Sequence, residues 1–156
     1  FVGDMTSGEV EFLIIKHSNE IYIGIGSDHT DRKLESISVP KAKQICPKPI
    51  GKEVWLYKNI KEHWNEIEAE SYQNIKGEKI LYQKGKLSEI LPVEKIISEL
   101  ENRVGDIEDS IIFSGTVPLI STFKYSDEFI CKIYDKKNNS TLNLNYEINQ
   151  ISEEEK

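Results

Sequence analysis

Cysteine is scarce in this chain of 156 residues, with only Cys46 and Cys131 present. They lie far apart and in no CxxC or Cys/His pattern, which excludes a disulfide framework and a thiolate metal site. Cys131 reads as a core residue of the strand-like stretch Phe129 to Ile133. Long apolar runs are missing too: none approaches the roughly 18 to 20 residues of a bilayer span. The N-terminus lacks the basic-then-apolar design of a signal peptide. The expectation is a soluble, cytoplasmic protein with no membrane partner. Positive charge is in deficit, with 20 Lys and Arg against 27 Asp and Glu and a formal charge of -7. That balance argues against a phosphate-seeking surface and hence against nucleic acid as a partner. The chain also opens on Phe1 rather than Met, which reads as a fragment. No internal repeat is present, and its length suits one domain with a real core.

Strand signals come first, helix signals in the middle and strand signals again. Residues 9 to 16 and 20 to 27 form an Ile-, Val- and Phe-rich hairpin around an Asn19-centred turn. Asp31 to Ser38 reads as a polar turn, and Val39 to Pro49 as an ordered loop, because Pro47 and Pro49 oppose regular structure. Val54 to Leu56 reads as a strand end. Asn59 to Glu70 has helical spacing, with Ile60, Trp64 and Ile67 along one face. Further strands are expected at 68–75, Lys79 to Gln83, Ser110 to Ser114, 127–134 and 141–148. A helix is expected over Leu91 to Asn102, with Pro92 at its start and Ile96, Ile97 and Leu100 inward. Residues 1–151 form one domain, and the charged tail 152–156 is expected to fray. Composition alone gives only α+β; the run of strands makes the chain mainly β, and its exposed strand edges predict a homodimer.

The chemistry concentrates near the start. Glu9 and Glu11 are two apart in a strand, so their side chains share one face. Asp28 closes the following strand. Three hard oxygen ligands from adjacent strand ends suit Mg²⁺, Mn²⁺ or Ca²⁺ rather than zinc. Paired acids on a strand equally describe one solvated face. Of the three histidines, His17 reads as an exposed strand-end residue and His63 as a surface or packing residue. His29, between Asp28 and Asp31, can orient a carboxylate, donate to a substrate or act as general base.

The order of the motifs resembles the fumarylacetoacetate hydrolase superfamily. Glu9-Val10-Glu11 matches its acidic strand, and Asp28-His29-Thr30-Asp31-Arg32 the strand ending in Asp before Thr and Arg. Lys41 to Pro47 matches its lysine ahead of Cys-Pro. Asp109 to Pro118 matches its Gly-Asp-x-Ile-x-x-Gly-Thr-Pro strand, with Val117 inserted before Pro118. Gly26 to Arg32 and Lys43 to Pro49 resemble more closely the uncharacterised prokaryotic family DUF2848. The resemblance spans roughly residues 3 to 150. It implies a mixed β-roll or sandwich of the superfamily's C-terminal-domain type, with one or two packing helices. It also implies Mg²⁺, or Mn²⁺ or Ca²⁺, on Glu9, Glu11 and Asp28, acting on a small 2-oxo or dicarbonyl carboxylic acid through a metal-bound enolate. C–C bond hydrolysis is the first expectation, with decarboxylation, hydration or tautomerisation on the same site. Lys41, rather than Lys43, is taken as the lysine that stabilises charge, and Gln83 as a hydrogen-bond donor. His29 stands in as base for the superfamily's lid His and Glu, which no residue before Glu9 supplies. Arg32, Lys43, Ser114, Gly115 and Thr116 are the expected substrate contacts. The alternative is a non-catalytic scaffold of the same fold that binds a carboxylate ligand or a partner subunit.

Overall fold

The computed structural model describes residues 1–120, 122–152 and 154, so the expected tail falls mostly outside the described residues. Alternation of apolar and polar side chains builds two antiparallel four-stranded sheets that share one core. The first, in the order β5–β3–β2–β8, contains β2 (Val10–His17), β3 (Glu20–Ser27), β5 (Trp55–Leu56) and β8 (Ser110–Thr116). The second, β10–β9–β6–β7, contains β6 (Glu68–Ile75), β7 (Glu78–Lys86), β9 (Glu128–Asp135) and β10 (Ser140–Glu147). A short pair, β1 (Thr6–Ser7) with β4 (Thr30–Asp31), closes beside them. This is the mainly-β α+β architecture expected.

Val10, Phe12 and Ile14 of β2 point into the shared core, against Phe129, Cys131 and Ile133 of β9 and Leu142 and Leu144 of β10. The intervening residues Glu11 and Leu13 therefore project from the opposite face of β2. Phe12 meets Trp64 edge-on at 5.0 Å between ring centroids, and Tyr57 does the same at 5.6 Å. The β2–β3 turn uses left-handed Ser18 and Asn19, with φ of 54° and 60°, as a two-residue hairpin with the sheet's own twist requires. Just before Glu9, a Cβ on Gly8 would lie 2.6 Å from both the Phe129 ring and Ser27 Oγ, so only glycine lets this segment lie against the second sheet.

Helices depart from the sequence reading in three places. Asp31 caps α1 (Arg32–Glu35) by accepting from Leu34 N at 2.9 Å, where a turn is expected. Val39–Ile45 is a helix, α2, rather than a loop. Pro40 sits in its first turn, where no N–H is needed, and Pro47 and Pro49 act only after Cys46 has ended it. Conversely, the helical spacing after Asn59 produces tight 3₁₀ turns at Tyr57–Asn59 and Lys61–Glu66, broken at His63, before β6 begins at Glu68. His63 is buried and its Nε2 lies 2.9 Å from Asp135 Oδ2, tying these turns to the β9–β10 corner. Helix α3 (Val93–Val104) follows Pro92 and buries Val93 and Ile96, with Ile97 and Leu100 half-covered. Both cysteines are buried and free.

Candidate metal centre

Strand register brings the three acids together. Glu11 pairs with Gly26 across the β2–β3 ladder, and the backbone N–H of Asp28 donates to the Glu9 carbonyl at 2.9 Å, so the end of one strand lies beside the start of the other. One carboxylate oxygen from each of Glu9, Glu11 and Asp28 lies within 4.8 Å of the other two. That spread is about twice a metal–oxygen bond of roughly 2.1 to 2.5 Å, so a single hard cation can touch all three. Glu11 and Asp28 are buried. A second grouping with the same spread, His17, Glu108 and Asp109, lies at the surface, with His17 paired to Asp109.

A β-bulge aims the fixed donor of the site. Between Glu11 and Leu13 the register on β8 runs from Thr116 to Phe113, one residue more than on β2. The extra length falls at Ser114-Gly115, where Gly115 has φ of 117° and its N–H donates to Glu11 Oε2 at 2.9 Å. Burial pushes the Glu11 carboxyl up to about 7; the Gly115 N–H opposes the shift, and the Asp28 charge adds to it.

Cations cover the outer oxygens. The Lys43 ammonium bridges Glu9 Oε2, at 3.2 Å, and Asp28 Oδ2. Burial works against its charge, but the Asp28 and Glu9 carboxylates outweigh it and hold Lys43 above the usual lysine range. Lys48 lies 2.8 Å from the other Asp28 oxygen, Oδ1, and donates to the His29 carbonyl. Arg32 donates to Ser7 Oγ at 2.7 Å, Ser7 O at 3.3 Å and Glu35 at 2.9 Å, stands 3.2 Å from Glu9 Oε1, and carries the Phe123 ring over its face at 4.5 Å.

Several expected roles change with this geometry. The lysine at the cluster is Lys43; Lys41 is exposed. Two residues apart on α2, their side chains point about 200° apart around the axis, a phase that a loop reading cannot supply. Gln83 is fully buried, and its hydrogen-bonding capacity is spent inside the protein. Its Oε1 accepts from Val10 N at 2.9 Å and Ser71 Oγ at 2.8 Å, and its Nε2 donates to Thr116 Oγ1 at 2.7 Å and Val117 O at 2.8 Å. It clamps the two sheets and has no proton left for a substrate. Thr116 is engaged in the same clamp, donating to Val10 O at 2.7 Å. The Ser114 hydroxyl turns back to Gly115 O at 2.9 Å. Arg32 is turned toward Ser7, Glu35 and Glu9.

His29 does not reach the cluster's open side: its residue exposure is 0%. Its Nδ1 shares a 2.8 Å hydrogen bond with the Tyr146 hydroxyl, which also meets Ser27 Oγ at 2.8 Å, and Phe1 stacks on the ring at 4.1 Å. Burial, with the Arg32 and Lys48 charges, pushes its pKa down to about 3, so the imidazole is neutral and a poor base. Lys48 went unassigned at the sequence level, although the flanking Pro47 and Pro49 signal a rigidly presented side chain.

Structural comparison finds this fold in solved enzymes. A 2-keto-3-deoxy-D-arabinonate dehydratase complexed with magnesium and 2,5-dioxopentanoate superposes with a TM-score of 0.75 at 20% identity, covering 98% of this chain and 57% of that one. A hexagonal crystal form of 2-keto-3-deoxyarabinonate dehydratase gives 0.72 at 20% identity, covering 99% and 55%. The Cg1458 structure gives 0.66 at 15% identity, covering 95% and 60%. The chain thus spans little more than half the length of the structures it matches, and the likeness shows a shared fold. No curated protein matches. No helix among the described residues is long and apolar enough to cross a membrane. Residues 1–146 match the family model described as a protein of unknown function, DUF2848, and the chain belongs to that family.

Proposed function

We propose that this chain is the catalytic domain of a divalent-metal-dependent enzyme acting on a small 2-oxo carboxylic acid. The observation that carries the reading is the convergence of Glu9, Glu11 and Asp28 oxygens within 4.8 Å, with Lys43 and Lys48 both paired to Asp28. An all-carboxylate donor set suits Mg²⁺ or Mn²⁺. When bound, such an ion supplies Lewis-acid stabilisation to the oxygens of a chelating 2-oxo acid. The solved dehydratase that holds magnesium and 2,5-dioxopentanoate supports that substrate class.

The chain's own residues would divide the remaining work. Gly115 N–H and Arg32 fix Glu11 and Glu9, so that little reorganisation is needed on binding. Lys43, with its ammonium among the carboxylates, lies where negative charge on a keto oxygen would develop, and its raised pKa keeps it charged there. Charge on that oxygen is common to dehydration, decarboxylation, tautomerisation and C–C bond hydrolysis, so the residues favour the class of substrate before the bond broken. The expected result is turnover of 2-oxo acids that requires Mg²⁺ or Mn²⁺ and falls at least 100-fold in Lys43→Met, while Lys41→Met stays within threefold. A panel of 2-oxo and dicarbonyl acids followed by ultraviolet absorbance and mass spectrometry checks this. Equal losses in the two lysine variants, or turnover indifferent to EDTA, would refute it.

A further inference from the structure

We propose that Lys48 anchors the carboxylate of the substrate at this site; the inference rests on the metal-dependent reading above. Charge balance is the first observation. Four carboxylates, Glu9, Glu11, Asp28 and the Glu35 that pairs with Arg32, face three cations, Arg32, Lys43 and Lys48. A divalent ion added to this set leaves one positive charge uncompensated in a half-buried site, and an anion is the partner that restores the balance. A 2-oxo acid supplies that charge as its carboxylate.

The identity of the anchor follows from which cation is free to act. Arg32 is spent on Ser7, Glu9 and Glu35, and Phe123 covers its face. Lys43 is wedged between two of the three acids, the position that serves the keto oxygen. Among the described residues, Lys48 touches one acid oxygen, Asp28 Oδ1, and a backbone carbonyl, that of His29. An ammonium has three N–H donors. A cation on Asp28 takes over the carboxylate's charge, and the Lys48 donors aimed at it then serve an anion. With 27% of its side chain exposed, Lys48 is reachable from solvent.

The backbone presents this lysine rigidly. Pro47 and Pro49 restrict the chain on both sides of it, and a residue before proline is held extended. Pro49 O accepts from Ser27 N at 2.9 Å, tying the segment to the residue immediately before Asp28. That hydrogen bond holds the Lys48 segment beside the strand that leads to Asp28.

Calorimetry on the whole chain tests the assignment in two steps: Mn²⁺ alone, then oxalate, a planar dianion, onto the Mn²⁺-loaded protein. For Lys48→Met, Mn²⁺ affinity stays within threefold of wild type or tightens, because a repelling cation is gone, whereas oxalate affinity falls at least tenfold. Lys48→Arg keeps oxalate affinity within threefold. Should Lys48→Met fail to fold, Lys48→Gln, which still donates to the His29 carbonyl, is held to the same expectation. Oxalate affinity within twofold of wild type overturns the proposal and leaves the metal reading intact. Parallel loss of Mn²⁺ and oxalate also overturns it, since Lys48 would then serve only to orient Asp28. Absence of Mn²⁺ binding in the wild type overturns the metal reading itself, and the anchor with it.

Discussion

Glu11→Gln should make the chelator-stripped protein more stable at neutral pH while removing its response to metal. The Glu11 carboxyl is buried and pushed up from 4.5 to about 7 in the folded chain. Below about pH 4.5 it is protonated whether folded or unfolded, and no penalty exists. Between about 4.5 and 7 the unfolded chain releases this proton and the folded chain keeps it, so stability falls as pH rises. Above about 7 the loss is complete, on the order of 3 kcal/mol. Glutamine has no proton to lose and can still accept from Gly115 N–H. In EDTA the variant should therefore unfold at higher urea than wild type at pH 8, with the difference fading toward pH 4.5. Adding Mg²⁺ or Mn²⁺ stabilises only a protein that binds it, by RT ln(1 + [L]/Kd). At millimolar metal the order should reverse in favour of wild type. A variant less stable than wild type in EDTA at pH 8 would show that the Glu11 charge is compensated in place, contrary to this account.

Gln83→Leu should cost the fold heavily rather than tune the chemistry. Leucine keeps the approximate volume but leaves Val10 N–H, Ser71 Oγ, Thr116 Oγ1 and Val117 O each short of a partner at a fully buried point between the sheets. At about 1 to 3 kcal/mol for each unsatisfied buried group, partly relieved by relaxation, the loss is roughly 3 to 6 kcal/mol. That is a large share of the stability of about 5 to 15 kcal/mol typical of a domain. Urea unfolding followed by tryptophan fluorescence measures it. A loss below about 1 kcal/mol, accompanied by a fall in turnover, would return Gln83 to the substrate-facing role that its position in the motif order suggests.

The difference between what Gln83 and Glu11 disclosed in sequence is instructive. Acid spacing of two on a strand and an Asp at the end of its hairpin partner are local patterns, and the ladder from Val10↔Ser27 to His17↔Glu20 preserves them in space. The sheets, the long helix α3 and the three-acid grouping were therefore legible. Partners set by tertiary contact were not. Gln83 sits before a helix in the motif order, but its neighbours come from β2, β6 and β8. Lys41 and Lys43 were separable only once α2 had a phase, and that phase depended on Pro40 being tolerated in a first turn. His29 has the right type and place for a base, yet Tyr146, more than a hundred residues on, and Phe1 enclose it. The stretch 59–67 has apolar spacing for a helix, but packing of Trp64 on Phe12 and Tyr57 is achieved in 3₁₀ turns instead.

The most direct test of the account is a calorimetric titration of the whole chain with Mg²⁺ and Mn²⁺ near pH 8, run beside Asp28→Asn. Asp28 is the acid that meets both Lys43 and Lys48, so neutralising it removes a ligand charge and loosens both lysines at once. Saturable binding of one ion per chain is expected in the wild type, weakened at least 100-fold in Asp28→Asn with the fold retained by circular dichroism. Undetectable binding at millimolar metal, or equal binding by both proteins, would contradict a metal centre at Glu9, Glu11 and Asp28.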